Sequence, residues 1–176
     1  MKELLIEHFN KIKKCIPLIE KKLPVKLTYS GKRIIFKGPE LDEFMAEEIV
    51  KAVDFGFDID DAFLLLRPDF LLQFINIKDH TVKKNFAEIR SRVIGTNGRA
   101  KGTIADLTGS VIVVHENQVG IIVDSDHADS AIQAVVSLIR GAKHANVFAY
   151  LEKQNVNRRK LDDDLGLKNK QDEELL

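Results

Sequence analysis

The stretch from Arg92 to Lys101 contains residue types and a spacing that could bind a polyanion, because Gly95 and Gly98 lie three positions apart and cations follow them. Glycines remove the Cβ atoms that would hold a phosphate backbone away, and they permit unusual φ angles. The loop amides and the start of a following helix would present hydrogen-bond donors and the positive end of a dipole. Arg99 and Lys101 would add charge, so the stretch predicts a contact with phosphate groups.

The glycine pair has alternative interpretations, since glycine marks many turns and two glycines alone are weak support. It could be a plain turn between helices, and Asn97-Gly98 could close a β-hairpin, although helical spacing on both sides argues against the hairpin. A Walker-type nucleotide loop is excluded because no Gly-Lys-Ser/Thr follows at the right spacing. Placement between two helices of a complete set of strands and helices favours a KH-type clamp. In such a clamp the loop holds the backbone of a single strand and the bases lie over an apolar groove.

Apolar side chains of the flanking helices and of the strand Val111 to Val114 would line the groove of this clamp. Thr96 and Asn97 form the loop tip, and both are polar but uncharged. We therefore expect a weaker electrostatic grip than a lysine at the tip would give. The residues predicted to contact RNA are Ile94, Gly95, Thr96, Asn97, Gly98, Arg99, Lys101, Ile104 and Val113.

The charge of the whole chain gives no general attraction to polyanions, because 27 Lys and Arg balance 27 Asp and Glu. Nucleic-acid binding therefore requires a local basic patch. Such a patch precedes and includes the loop, and it consists of Lys83, Lys84, Arg90, Arg92, Arg99 and Lys101, with Asp79 and Glu88 as the acids in the same stretch.

The composition indicates a soluble, cytoplasmic protein. Cys15 is the single cysteine, so an intrachain disulfide or a cysteine metal cluster is excluded, as suits a reducing compartment. The residues from Met1 to Phe9 carry charges and do not resemble a signal peptide. No apolar run approaches the ~20 residues of a membrane helix. We expect no membrane contact and no cofactor.

Catalysis is poorly supported by the sequence. The five histidines are scattered without a recognisable metal spacing. Asp58, Asp60 and Asp61 crowd together, but capping of a following helix is the simpler account. We predict no catalytic residue and no metal site. A hydrolase that uses Asp or His clusters remains a third hypothesis, and it would require metal-dependent RNA cleavage.

Hydrophobic periodicity predicts the same order of elements in both halves of the chain. The first half is predicted to contain strand Lys2–Ile6, helix Phe9–Lys14, a new helix from Pro17, strands Val25–Tyr29 and Ile34–Lys37, and helix Glu40–Val53. The second half is predicted to contain strand Phe70–Ile77, a helix that buries Val82, Phe86, Ile89 and Val93, helix Arg99–Leu107, strands Val111–Val114 and Val119–Val123, and a helix capped by Asp126 that buries Ala131, Ile132, Val135, Val136 and Ile139.

These orders predict an α+β protein with two tandem type I KH folds (βααββα), each a three-stranded antiparallel sheet with helices on one face. Residues 1–55 would form a degenerate KH unit, because Lys13-Lys14-Cys15-Ile16-Pro17 stands where the glycine pair should be. Residues 56–68 would form a linker helix, residues 69–153 the KH domain with the clamp, and residues 154–176 a mobile charged tail.

Residues 25–153 resemble the archaeal and eukaryotic family of pre-ribosomal KH proteins known as the partner of the small-subunit maturation endonuclease. Five segments of the second unit carry this resemblance: Arg92-Val93-Ile94-Gly95, Gly98-Arg99, Leu107-Thr108-Gly109, Gly141-Ala142-Lys143-His144 and Tyr150-Leu151-Glu152. The segment Glu48 to Ala62 is similar to the linker between the two repeats of the family. The Gly-x-x-Gly is common to all KH domains, whereas the Gly-Ala-x-His and the linker indicate this family.

The resemblance implies an RNA-binding protein that acts in small-subunit assembly, binds single-stranded rRNA near its 3′ end and assists its maturation. It also implies contact with the maturation endonuclease and, in archaea, with a translation initiation factor subunit. Because the first repeat lacks the clamp of archaeal members, we expect that unit to pack on the second or to hold a protein. The alternative function is a non-catalytic scaffold whose KH units mainly hold a nuclease or translation factor.

Overall fold

The computed structural model describes residues 2–165, apart from the side chains of residues 162–164, and consists of two three-stranded antiparallel sheets with helices packed on them. The first half contains β1 (Lys2–Leu5), α1 (Phe9–Lys22), β2 (Lys26–Ser30), β3 (Arg33–Lys37) and α2 (Glu40–Phe55). A short helix α3 (Ile59–Ala62) and a 3-10 turn (Phe63–Leu66) connect the halves. The second half contains β4 (Phe70–Asn76), α4 (Ile77–His80), α5 (Phe86–Ile94), a 3-10 turn (Thr96–Gly98), α6 (Arg99–Thr108), β5 (Val111–His115), β6 (Gln118–Asp124), α7 (Ser125–Arg140) and α8 (His144–Asp164).

The first sheet has the strand order β1-β3-β2, so β2 is an edge strand beside the hairpin turn Gly31-Lys32. Leu27, Ile34 and Phe36 point from this sheet toward α1 and α2 and are buried. The alternation of side chains along each strand thus leaves the charged residues of the hairpin on the solvent side.

Helix α1 corrects the prediction of two helices in the first half, because it runs without interruption through Pro17. A proline in a helix interior removes a backbone donor and usually breaks or kinks the helix. Here Pro17 is exposed, whereas Ile12, Cys15 and Ile19 are buried on the opposite side. Packing of this continuous apolar face onto the sheet therefore outweighs the proline, and the first unit has the order βαββα.

The second sheet repeats the topology as β4-β6-β5, with a two-residue turn at Glu116-Asn117. The central strand β6 alternates between two apolar environments. Val119, Ile121 and Val123 are buried in the core formed with α5, α6, α7 and α8. Gly120 and Ile122 point to the other face, and Ile122 is buried in the core of the first unit. Both faces of this sheet are therefore covered.

The two units share an apolar interface in which α2 and the residues after it lie on the outer face of the second sheet. A Cβ on Gly120 would lie 2.6 Å from Phe55 and 2.8 Å from Phe57, so glycine is the residue that admits these rings. Phe55 also contacts Phe74 of β4, with ring centroids 4.8 Å apart. Fully buried Phe57 connects this interface to the first core.

Two predictions about the ends of helices are wrong. Val82 does not belong to the helix that leads into the glycine loop, because α5 begins at Phe86 and the side chain of Asn85 accepts a hydrogen bond from the Glu88 amide. Val82 is 99% exposed in the preceding loop. Helix α7 is capped by Asp124, which accepts from the His127 amide, and not by Asp126.

Helix α8 includes residues 154–164 of the predicted tail, where the sequence predicts no more than a short helix. Asn155 Nδ2 donates to the carbonyl of Leu107 at 2.7 Å, so this part of α8 is attached to the end of α6. Residues 166–176 of the predicted tail lie outside the described residues. No helix in residues 2–165 combines the length and apolar character that a membrane crossing requires.

The predicted fold class is confirmed at the level of two three-stranded antiparallel sheets with helices on them. All six strands were predicted within two residues of their observed ends. The division of the chain into the predicted domains stays a prediction.

Candidate nucleic-acid interface

The first glycine of the loop is required by the backbone geometry and by close packing. Gly95 ends α5 with φ 75° and ψ 172°, a conformation that L side chains rarely adopt. A Cβ at this position would lie 2.6 Å from both the Cβ and the amide nitrogen of Ala100. Gly95 thus lets the end of α5 contact the start of α6, and its role in the structure is internal packing.

The second half of the loop is open. Asn97 has φ 53° and Gly98 has φ 75°, so two consecutive residues are left-handed. A Cβ on Gly98 would meet no heavy atom within 4 Å. Because Gly98 immediately precedes α6, a ligand atom can approach the loop backbone from this open side, beside the Arg99 amide that donates to the Thr96 carbonyl. An anion there would face the positive end of the helix dipole.

The side chains around the loop divide into exposed and buried groups. Thr96, Asn97 and Arg99 are exposed, and Ile94 and Lys101 are partly exposed. Ile104 is fully buried in the second core. The prediction that Ile104 contacts bases is therefore wrong, and its role is to hold α6 against the sheet.

Val113 was predicted to line the groove, but the structure places it on the opposite face of the sheet. It packs against the first core, and a Cβ on Gly56 would lie 3.4 Å from its Cγ1. Ile112 and Val114 are the residues of β5 that point toward the helices. Because successive side chains of a strand alternate between faces, the error is one of register by a single residue.

Two of the six cations in the predicted basic patch hold the structure together. Arg90 Nη1 donates to the carbonyl of Glu116 at 2.9 Å. Arg92 Nη2 donates to the carbonyls of Gly141, at 2.9 Å, and Ala142. These guanidinium groups satisfy carbonyls at the β5–β6 turn and after α7. Lys83, Lys84, Arg99 and Lys101 are therefore the cations of the patch that remain available to a ligand.

The Gly-Ala-x-His segment after α7 acts on the clamp through Arg92. In addition to the bonds from Arg92 to Gly141 and Ala142, His144 Nε2 lies 2.9 Å from the Arg92 carbonyl. The backbone and side chain of the residue three positions before Gly95 are thus both fixed. Sequence reasoning noted this motif only as a family resemblance and missed its contact with the helix that enters the loop.

The groups considered for catalysis form no site among the residues that the structure describes. No cluster of three or more His, Cys, Asp or Glu could hold a metal ion there. Asp58 precedes α3 but makes no capping hydrogen bond with its side chain, so that part of the capping prediction is wrong. Burial raises the pKa of the Cys15 thiol, and the charge of nearby Lys11 offsets this only partly. The thiol is therefore not activated as a nucleophile.

A protein-family model described as the eukaryotic-type KH domain (KH-domain type I) matches residues 71–156. This match covers β4 to α8 and contains the loop from Gly95 to Gly98. The chain is 34% identical over 144 residues to a KH domain-containing protein of Methanocaldococcus jannaschii, covering 77% of this chain and 63% of that protein. It is also 34% identical over 111 residues to the pre-rRNA-processing protein pno1 of Emericella nidulans, covering 61% and 43%. The chain thus spans less than two thirds of these relatives.

A solved structure has a similar fold over most of the chain. A chain in the crystal structure of the a/eIF2alpha–aDim2p–rRNA complex from Pyrococcus horikoshii superposes with a TM-score of 0.79 and 28% sequence identity. The match covers 89% of this chain and 94% of that chain, so it includes both sheets and the interface between them.

Proposed function

Because this chain belongs to the archaeal and eukaryotic family of KH-domain pre-rRNA-processing proteins, we propose that it binds single-stranded rRNA near the 3′ end of the small-subunit rRNA. In this role it assists the maturation of that end during small-subunit assembly in the cytoplasm and catalyses no reaction itself. The second unit, residues 69–153, binds the RNA, and the first unit, residues 1–55, is a KH unit that has lost its clamp.

The observation that carries this proposal is the open backbone at Gly98. Asn97 and Gly98 are left-handed, and the empty space beside Gly98 supports the approach of a phosphate to the loop backbone at the start of α6. Arg99 and Lys101 supply charge beside that position. The RNA backbone lies along Thr96 to Arg99, and the bases turn toward Ile94 and Val114. Phosphate contacts then position the strand, and the groove supplies a modest base preference.

The partners proposed for this chain follow from its relatives. The similar chain from Pyrococcus horikoshii was solved with a translation initiation factor subunit and rRNA. We infer contact with the same factor, and contact with the endonuclease that trims the rRNA end follows from the family resemblance. The alternative is a scaffold that holds these proteins without gripping RNA.

The experiment compares Gly98→Asp with Gly98→Asn. Both side chains tolerate the left-handed conformation, and they differ by one negative charge at the position where a phosphate should lie. Gly95 is unsuitable because any side chain there would collide with Ala100. Binding of a labelled single-stranded RNA from the 3′ region of small-subunit rRNA is measured by fluorescence anisotropy at several salt concentrations.

We expect Gly98→Asp to bind at least about tenfold more weakly than Gly98→Asn, with a shallower dependence on salt because fewer counterions are released. Equal binding by the two variants, with circular dichroism showing both folded, would exclude the loop as the phosphate site. If the wild type binds no RNA but retains the initiation factor subunit, the scaffold alternative replaces the proposal.

A further inference from the structure

The strongest concentration of unpaired positive charge lies on the first unit, in α1 and the β2–β3 hairpin. Residues 9–37 contain one acid, Glu20, and nine cations: Lys11, Lys13, Lys14, Lys21, Lys22, Lys26, Lys32, Arg33 and Lys37. The chain as a whole is neutral, so this segment is more strongly basic than the patch before the glycine loop. We call it the basic hairpin segment.

Few of these charges are neutralised within the molecule. Among the residues that the structure describes, none of the nine forms an ion pair with a carboxylate. Lys11 Nζ donates to the carbonyl of Phe57 at 2.8 Å, and Lys22 lies 4.3 Å from the ring centroid of Phe63. By contrast, Lys51 of α2 contacts both Glu47 and Glu48. The basic hairpin segment therefore has charge available for an external polyanion.

An exposed aromatic ring lies in the middle of this charge. Tyr29 of the edge strand β2 is 45% exposed. Its ring packs edge-on against Phe9, with centroids 5.0 Å apart, and Lys13 Nζ lies 5.7 Å from its centroid. Tyr29 and Phe9 border a groove of about 770 Å³, which is also lined by Glu7, His8, Asn10, Lys11, Gly31 and Lys32. Exposed rings flanked by lysines are the surface on which unpaired bases stack.

Tyr29 occupies the position that Val114 occupies in the second unit. Both hairpins close on a two-residue turn, after the pairs Ser30–Arg33 and His115–Gln118. The residue before each closing pair, Tyr29 or Val114, points toward the helices of its unit. The first unit therefore keeps the strand side of the groove, with an aromatic ring in place of valine.

The first unit contacts the second at the end of β5. His8 borders the groove of the first unit and contacts His115 at the end of β5, with ring centroids 5.8 Å apart. Strand β5 is the strand side of the groove in the second unit. His115 shares the face of Val113 and contacts Phe55, opposite Val114, so an RNA strand that leaves the clamp must pass around the end of β5 to reach the first unit.

We propose that the groove between α1 and β2 is a second contact for the same single-stranded RNA. Tyr29 stacks on a base, and Lys13, Lys14 and Lys32 neutralise phosphates of nucleotides beyond those held at Gly98. This inference rests on the proposed RNA binding by the second unit. The lost glycine loop means that the contact uses side chains and not backbone amides.

The experiment uses the full chain and a nested series of labelled RNAs from the 3′ region of small-subunit rRNA, from about 4 to about 16 nucleotides long. We expect the affinity of the wild type to rise in two steps as the RNA first fills the clamp and then reaches the first unit. Tyr29→Ala should lower the affinity of the longest RNA roughly tenfold and leave the shortest RNA unchanged, because one base–aromatic stack is lost. Tyr29→Phe should retain the second step.

Charge reversals supply the matched control. Lys13→Glu should remove the second step and reduce the salt dependence of the longest RNA. Lys37→Glu makes the same change of charge in the same unit. Because Lys37 follows buried Phe36 on β3, it points to the outer face, and we expect its effect on RNA affinity to be less than twofold. Equal losses from the two reversals would show general charge attraction and overturn the proposal.

The outcomes separate this inference from the proposed function. If Gly98→Asp weakens the shortest RNA but the wild type shows no second step with length, the clamp stands and the second contact is overturned. If Gly98→Asp has no effect on the shortest RNA, the proposed function itself fails. If Lys13→Glu leaves all RNAs unchanged but weakens binding of the initiation factor subunit, the groove binds an acidic protein segment and not RNA.

Discussion

The two units present different chemical groups to an anion at the place where a helix meets an edge strand, which is α1 with β2 in the first unit and α6 with β5 in the second. In the second unit a glycine loop leaves open space beside the backbone at Gly98, and Val114 supplies a small apolar surface. In the first unit one continuous helix replaces the loop, and lysines surround Tyr29. The two units therefore combine the same strand topology with different groups: a glycine loop in the second unit, and lysine side chains around an exposed aromatic ring in the first.

The largest expected effect is a difference in stability between substitutions at the two loop glycines. Gly95→Ala should lower the free energy of unfolding by ~2–4 kcal/mol, because its Cβ would collide with Ala100 in a backbone conformation that alanine disfavours. Gly98→Ala should lower it by ~1–2 kcal/mol, since only the left-handed conformation is strained. Urea unfolding followed by circular dichroism measures both values. Equal losses would show that close packing at Gly95 does not distinguish the two sites.

A second prediction separates structural from ligand-facing cations in the second unit. Arg92→Ala leaves the Gly141 and Ala142 carbonyls without their charged donor and should cost ~1.5–3 kcal/mol of unfolding free energy. Arg99→Ala changes an exposed side chain and should alter stability by less than ~0.5 kcal/mol. RNA affinity measured under fully folded conditions should follow the reverse order. A stable Arg92→Ala protein with weak RNA binding would contradict this assignment.

A third prediction introduces a lysine side chain, the charged group of the first unit, into the glycine loop of the second unit. Thr96→Lys places a cation at the exposed loop tip and should raise RNA affinity by roughly two- to fivefold at low salt, with a gain that disappears as salt increases. Thr96→Gln is the uncharged control of similar length. A gain that is shared by Thr96→Gln, or that persists in high salt, would mean that charge is not its cause.

The smallest expected effect concerns how the first sheet is attached to α2. Burial raises the pKa of the Glu47 carboxyl, but hydrogen bonds from Lys51 and Lys2 and their positive charges outweigh it, so the pKa lies below its ordinary value. A lowered pKa stabilises the fold above the pKa of the unfolded chain, and this contribution disappears as pH falls through the folded value. The free energy of unfolding of the wild type should therefore fall on acidification from pH 6. In Glu47→Gln this fall should be smaller by ~1 kcal/mol or less. Thermal unfolding across this pH range measures the difference, and an unchanged acid slope would contradict it.

The strands and the glycine loop could be predicted from the sequence because their signals are local. Alternation predicted the strand Val25–Tyr29, short apolar runs between turn residues predicted the other strands, and the glycine pair between helical patterns predicted the loop. Pro17 misled the prediction because a local breaker competes with an apolar face from Ile12 to Ile19, and the packing of that face is a tertiary effect. Val113 was misassigned because the direction of a strand residue depends on which face meets the first unit.

Other features of the site depend on contacts between distant residues. Arg92 and Gly141 are far apart in sequence, so the charge of Arg92 counted as free in the basic patch when it is in fact directed to carbonyls. The excess of lysines around Tyr29 was visible in the sequence. Its convergence on Tyr29 could not be predicted, because it depends on the packing of α1 against β2.

Gly120 connects the two halves of the molecule in a way that bears on whether they can exist apart. Its missing side chain is the slot into which Phe55 and Phe57 fit, and Ile122 beside it completes the first core. A half produced alone would expose either these rings or the sheet face that receives them. Separately produced halves should therefore reassociate when they are mixed, as complementing fragments do, and Gly120→Val should abolish that reassembly by filling the slot.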